Sequence, residues 1–121
     1  MTKISQTLGQ AGEELAEKLL RTKRLKILGR NLRTKFGEID ILAEDGRTLV
    51  VVEVKTKTSA VYGAAIEMIT PTKQLKLIRL ARWLQAKRQR PAVRIDIVTV
   101  DSVANSPQLR HHKGVVEYHG S

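Results

Sequence analysis

The stretch GEIDILAEDGRTLVVVEVK, residues 37 to 55, constrains the fold more than any other part of the chain. In its first half Ile39 and Ile41 alternate with Glu38, Asp40 and Leu42, the period of two that marks a strand. The second half, Thr48 to Val54, is dense in β-branched residues, and Asp45-Gly46 between the halves is a short-hairpin signal. Two antiparallel strands follow from this. Such strands favour burial, yet Asp40, Glu53 and Lys55 interrupt them, and charged side chains are seldom fully buried unless paired or bound to a metal. Glu53 and Lys55 are two residues apart and emerge from one face, while Val52 and Val54 point to the other. Asp40 lies near the end of its strand remote from the turn, which is also the end that carries Glu53 and Lys55. Three charged groups therefore converge at one end of a hairpin.

Around this hairpin the remaining elements fall into place. Leu8, Ala11, Leu15 and Leu19 recur at helical spacing and predict an opening helix from about Gly9 to Lys23. Leu25 to Arg33 reads as a strand with a basic rim. Residues 56 to 71, holding Ser59, Gly63 and Pro71, show no period and read as an irregular connection with room for a short helical turn. A second helix runs from Pro71 and Thr72 to about Arg88 and is ended by Pro91, and Val93 to Val100 is a last core strand. From Asp101 onward the chain reads as a polar tail, with a short edge strand at Val115 to Tyr118. The order helix, three strands, helix, strand predicts an α/β sandwich whose central mixed sheet is flanked by helices, the last strand being reached by a helical crossover.

The 121 residues, 41% hydrophobic, suit one domain over 1–121 with its core at about 9–100. Twenty-two Lys and Arg against 12 Asp and Glu give a formal charge of +10, which favours a polyanionic partner. A membrane surface could supply negative charge, but the longest strongly apolar run is Leu49 to Val52, too short to span or anchor in a bilayer. Nucleic acid is the expected partner and a membrane is not. With no cysteine there are no disulfides, thiolate zinc sites or Cys nucleophiles, and the N-terminus lacks an apolar signal core, so a cytoplasmic setting is the default. Monomer and homodimer stay open.

Two carboxylates brought close repel each other and push a pKa upward unless a cation sits between them. A hard divalent ion such as Mg²⁺ suits this set, because it takes oxygen ligands and keeps waters that a phosphate substrate can replace. The plain alternative is a salt-bridge cluster on an exposed sheet face. Lys73 shares a helix face with Leu77, Leu80 and Leu84, an unfavourable place for a cation at a helix start, which suggests that it reaches a phosphate or a site carboxylate; the alternative is snorkelling to solvent. Lys76, Arg79 and Arg82 lie off that stripe and, with Lys87, Arg88 and Arg90, form a basic set that is partly solvated face and partly backbone track. His111 and His112 sit in the tail without further ligands and are expected to be exposed. No Walker loop, dinucleotide fingerprint or Ser-His-Asp arrangement is present. At 3% aromatic content a single-strand stacking platform is not expected, and phosphate contacts should dominate.

An Asp, a Glu-x-Lys and a strongly basic chain in this element order resemble the PD-(D/E)xK, or restriction-endonuclease-like, nuclease superfamily. Within it the chain is similar to the YraN-like family of small bacterial proteins, through GEELAEKLL at 12–20, GRN at 29–31, GEIDILA at 37–43, VEVK at 52–55 and TKQLKLIRLARWL at 72–84. The proline of the superfamily motif is absent, Ile39 preceding Asp40. The resemblance implies a restriction-endonuclease-like fold and a DNA endonuclease dependent on Mg²⁺ or Mn²⁺, with structure-selective cleavage of repair or recombination intermediates as the finer expectation. It makes Asp40 and Glu53 the metal-binding carboxylates and Lys55 the lysine that orients or activates the attacking water. Glu13 resembles the first-helix acid, a direct ligand or a group that orients one; its position in line with Ala16 and Leu20 supports this, and a surface glutamate favoured by the helix dipole is the alternative. Gln74 would contact the site, and Lys73, Lys76 and Arg79 the nucleic acid. Two other readings compete: a non-catalytic nucleic-acid-binding module of the same fold in a repair or recombination assembly, and a basic scaffold for RNA or ribosomes, which would leave Asp40 and Glu53 without a task.

Overall fold

The computed structural model describes residues 3–57, 68–101 and 107–116, the side chains of 3–9 and 57 excepted. The elements are α1 (Lys3–Thr22), β1 (Lys26–Thr34), β2 (Gly37–Asp45), β3 (Thr48–Lys57), α2 (Pro71–Lys87), β4 (Ala92–Asp101) and β5 (Gln108–His112). Five strands form one sheet in the order β1-β2-β3-β4-β5. All neighbours are antiparallel except β3 and β4, which run parallel from Thr48↔Ala92 to Lys57↔Asp101. Parallel neighbours need a crossover connection, and α2 is the helix in it. This is the mixed α/β sandwich expected from the sequence, compatible with the restriction-endonuclease-like fold.

Period two sorts the central strands onto two helices. On β3, Val50 and Val52 join Ala16 and Leu20 of α1, whereas Leu49 and Val51 join Leu77, Leu80 and Leu84 of α2. β4 divides the same way, with Val98 and Val100 toward α1 and Ile95 and Ile97 toward α2. A sheet covered on both faces makes its inner strands near-continuous apolar runs, which is how LVVVEV reads. The α2 start is well specified: the Thr70 hydroxyl accepts the Lys73 N–H at 3.1 Å as N-cap, and Pro71 takes the first helical position.

Several boundaries differ from the sequence reading. α1 begins at Lys3 rather than Gly9, and β3 continues to Lys57 because its parallel pairing with β4 does. The hairpin closes on Asp45↔Thr48, which makes Gly46 and Arg47 the loop residues instead of Asp45 and Gly46. Of the irregular connection expected at 56–71, residues 58–67 lie outside the described residues. The polar tail expected from 101 onward is corrected by β5, which pairs with β4 from Asp101↔Gln108 to Ile97↔His112. The edge strand thus falls at 108–112; Val115 and Val116 are not in a strand, and residues 117 and 118 lie outside the described set.

Candidate active site

The β2–β3 ladder runs from Asp45↔Thr48 to Ile41↔Val52 and stops there. Just beyond it the Val54 N–H donates to Asp40 Oδ2 at 2.8 Å, so a side-chain carboxylate satisfies a strand amide that the parted ladder leaves open. The alternation of β2 breaks at the same place. Ile39 packs in the α2 cluster and Ile41, two residues on, in the α1 cluster. β1 stays paired on either side, Arg30 with Ile41 and Leu32 with Ile39, and between them Asn31 adopts φ +52°. Asp40 therefore sits at a seam where β2 and β3 separate.

Glu53 continues the α2-facing line of Leu49 and Val51, its side chain only 13% exposed. Lys73, in the first turn of α2, brings Nζ to 3.7 Å from Glu53 Oε1, which offsets the unfavourable position of a cation at a helix N-terminus. Its side chain is 41% exposed, so it lies at the rim of the apolar stripe rather than inside it. Burial drives the Glu53 carboxyl up to about 7, the Asp40 charge adds to the rise, and Lys73 and Lys55 pull back. Asp40 is also raised, chiefly by burial, against the opposing Val54 N–H and the two lysines. Lys55 is exposed on the Glu53 side of β3. Two half-buried carboxylates that resist ionisation beside two ammonium groups make a site suited to a cation or to a proton.

Glu13 approaches from α1. With its amide nitrogen turned toward the acids, Asn31 donates to Glu13 Oε1 and Oε2 at 2.7 and 3.0 Å and to Glu38 Oε1 at 3.3 Å. The Glu13 carboxyl is raised by burial and by Asp40, with Asn31 and Arg30 opposing. α1 approaches β3 closely beside Glu13: a Cβ on Gly12 would stand 2.5 Å from Thr56 Oγ1, so one of the two would have to shift. Among the described residues, no three His, Asp or Glu side chains form a metal cage. Mg²⁺ does not need one, since it is commonly held by one or two carboxylates together with waters and substrate phosphates, and the oxygen donors of Asp40 and Glu53 fit that use.

The family model described as "Uncharacterised protein family UPF0102" matches residues 12–100. The chain belongs to UPF0102. UPF0102 is the YraN-like family, which is PD-(D/E)xK nuclease-like. A UPF0102 protein of Mycolicibacterium vanbaalenii is 44% identical over 89% of this chain and 92% of its own length. One from Geobacter metallireducens is 42% identical over 92% and 93%, and one from Syntrophotalea carbinolica is 36% identical over 99% of both chains. The matched span of UPF0102 begins one residue before Glu13 and takes in Asp40, Glu53, Lys55 and Lys73.

Other sequence-derived residues stand apart from the seam. Gln74 Nε2 donates to the Ile69 carbonyl at 3.0 Å, so its amide nitrogen serves the start of α2 and not the carboxylates. Lys76 and Arg79 are exposed on α2 and pair with no acid among the described residues. The expectation that His111 is exposed is corrected: its side chain is fully buried, with Nε2 2.7 Å from Asp96 Oδ2. Arg94 holds the same carboxylate through Nε and Nη2 at 2.8 and 3.0 Å, and the Gly114 N–H donates to Oδ1 at 2.9 Å. His112 is half-buried, within 3.3 Å of Thr99 Oγ1. Asn31 and Glu38 escaped the sequence reading as site residues: residues 18–37 around Asn31 hold no acid, and its carboxylate partners come from α1 and β2. No helix among the described residues is long and apolar enough to cross a membrane.

Proposed function

We propose that the protein is a metal-dependent nuclease that hydrolyses phosphodiester bonds, DNA being the substrate polymer and branched repair or recombination intermediates the favoured form. One observation carries the reading. Glu53 is half-buried near Asp40, pushed to about 7, with Lys55 and Lys73 nearby, at a seam open between two strands. Carboxylates gathered with lysines and shifted upward by burial are characteristic of functional sites.

Asp40 and Glu53 would hold Mg²⁺ or Mn²⁺, and the bound ion supplies charge neutralisation at the phosphate and a lowered pKa for water. The Val54 N–H fixes the rotamer of Asp40, so one of its oxygens is committed and the other is left to face the ion or substrate. Glu53 must lose its proton to act, and Lys73, 3.7 Å from Oε1, favours that ionised form. With the Glu53 oxygens engaged by an ion, the Lys73 ammonium would be available to the incoming phosphate. Lys55, exposed on the same face, supplies an ammonium where the attacking water approaches and where negative charge builds in the transition state. Glu13, oriented by Asn31, lies near enough to Asp40 to raise its own pKa and orients water or ion on the α1 side.

A second reading, a nucleic-acid-binding module without catalysis, is favoured by the Lys73–Glu53 pair, which neutralises Glu53 with no metal at all. Isothermal calorimetry with Mn²⁺, run on wild type and Asp40→Ala with and without a phosphorothioate duplex, separates the two. The nuclease reading requires Mn²⁺ binding that Asp40→Ala abolishes. Absence of Mn²⁺ binding to wild type in both conditions would leave the binding module.

A further inference from the structure

The turn between β1 and β2, four residues before Asp40, places two residues against α2. Phe36 meets Trp83 edge to face, ring centroids 5.8 Å apart. Lys35 Nζ lies 5.2 Å from the Phe36 centroid and 5.7 Å from the Trp83 centroid, and Lys87 Nζ lies 4.7 Å from the Trp83 centroid. The turn is built to hold this geometry: the Thr34 hydroxyl donates to the Gly37 carbonyl at 2.8 Å and accepts the Phe36 N–H at 3.1 Å, and Gly37 takes φ +129°, where a side chain is strained. Both lysines are exposed, and neither pairs with an acid among the described residues.

Two ammonium groups within 5.7 and 4.7 Å of one ring centroid place two positive charges at one corner, and an anion reaching both would offset their repulsion. The rings hold the ammonium groups in place beforehand, which lowers the entropy lost when a ligand is gripped. The position is informative too. Lys76, Arg79, Trp83 and Lys87 follow at intervals of three and four along α2, beside the apolar stripe whose first turn carries Lys73, so a row of cations runs along the helix toward this corner. Ten residues of helix separate Lys73 from Trp83, about 15 Å along the axis. On a nucleic-acid strand that distance corresponds to roughly four to five nucleotides, at about 3.4 Å each.

We infer that Lys35 and Lys87, seated on Phe36 and Trp83, clamp the phosphodiester backbone of a nucleic acid at a second point, away from the cleavage seam. The inference rests on nucleic acid being the partner under the proposed function. Its ligand class is the backbone phosphate itself, read without regard to base sequence. Trp83 is the single tryptophan of the chain, so its emission reports on this corner alone.

The test titrates wild type and the Lys35→Gln/Lys87→Gln double variant with a short blunt DNA duplex in EDTA, following Trp83 emission and the anisotropy of labelled DNA over a range of salt. Duplex binding should change Trp83 emission in wild type. In the double variant, affinity should fall and the slope of log affinity against log salt should shrink by about one to two, the share of two phosphate contacts. Wild-type affinity and slope in the double variant, or binding that leaves Trp83 emission unmoved, overturns this clamp while leaving the nuclease reading standing. Polyglutamate producing the same emission change at matched charge and salt overturns the assignment to phosphodiester. Failure of wild type to bind duplex at all overturns the clamp and the nucleic-acid partner together.

Discussion

Replacing Glu53 with Gln should make the metal-free protein more stable at neutral and alkaline pH. Burial pushes the Glu53 carboxyl up to about 7 from an ordinary 4.5. Between those values the folded chain keeps the proton that the unfolded chain has released, so this group makes stability fall as pH rises through the window. Above it both states are ionised and the full penalty is present. At about 1.4 kcal/mol for each pKa unit, the penalty is on the order of 3 kcal/mol. Glu53→Gln removes the charge while keeping the shape, and its former partner Lys73 is 41% exposed and readily solvated. The variant should therefore gain little at about pH 5 and on the order of 3 kcal/mol at about pH 8, roughly 10 °C in Tm for a chain of this size. Urea unfolding of both proteins at the two pH values, in EDTA, measures the difference directly, and the other titrating groups cancel in the comparison. Saturating Mn²⁺ should erase the advantage, because the ion compensates the charge in wild type only. A gain that is the same at both pH values, or absent at the higher one, refutes the claim that burial outweighs the lysines at the Glu53 carboxylate.

Asp96→Asn should cost about 3–5 kcal/mol by urea unfolding, because it removes the charge that buried His111 and half-buried Arg94 are built around. Hydrogen bonds from His111 and Arg94 depress the Asp96 pKa, so its contribution is present above the unfolded value and is lost as pH falls through the folded one; an acid-unfolding midpoint unchanged in the variant would contradict this. Gly12→Ala should destabilise by about 1–3 kcal/mol through the contact with Thr56 Oγ1, and adding Thr56→Ala should recover most of it in thermal melts; no recovery would place the cost elsewhere.

What the sequence revealed and what it hid have physical causes. β2 and β3 were readable because burial on both faces forces a dense β-branched run, and Asp40, Glu53 and Lys55 stood out as charges within it. That Asp40 sits at a parting of the strands was not readable, since it depends on Asn31 at φ +52° and a break in alternation that no local pattern encodes. β5 was hidden because its inward residues include a histidine, so QLRHH shows no apolar period. The clue lay in its partner strand: an Asp in the middle of VRIDIVTV needs buried donors, and His111, Arg94 and the Gly114 N–H supply them. Lys73 was traceable from helical spacing, but its pairing with Glu53 needed the crossover to bring the start of α2 to the end of β3. The Lys35, Phe36, Trp83 and Lys87 corner brings together residues from two distant segments and left no trace in either.

The central claim is that Asp40, Glu53 and Lys55 perform phosphodiester hydrolysis. Single-turnover cleavage of duplex, flap, fork and four-way-junction DNA, in Mg²⁺ and in Mn²⁺, by wild type, Asp40→Ala and Lys55→Ala purified identically tests it most directly. Wild type should cleave only with the ion, Asp40→Ala should lose ion binding and cleavage together, and Lys55→Ala should bind DNA and ion as wild type does while its cleavage rate falls by about two to three orders of magnitude. Equal cleavage by all three proteins, or none by wild type on any substrate with either ion, would contradict the account.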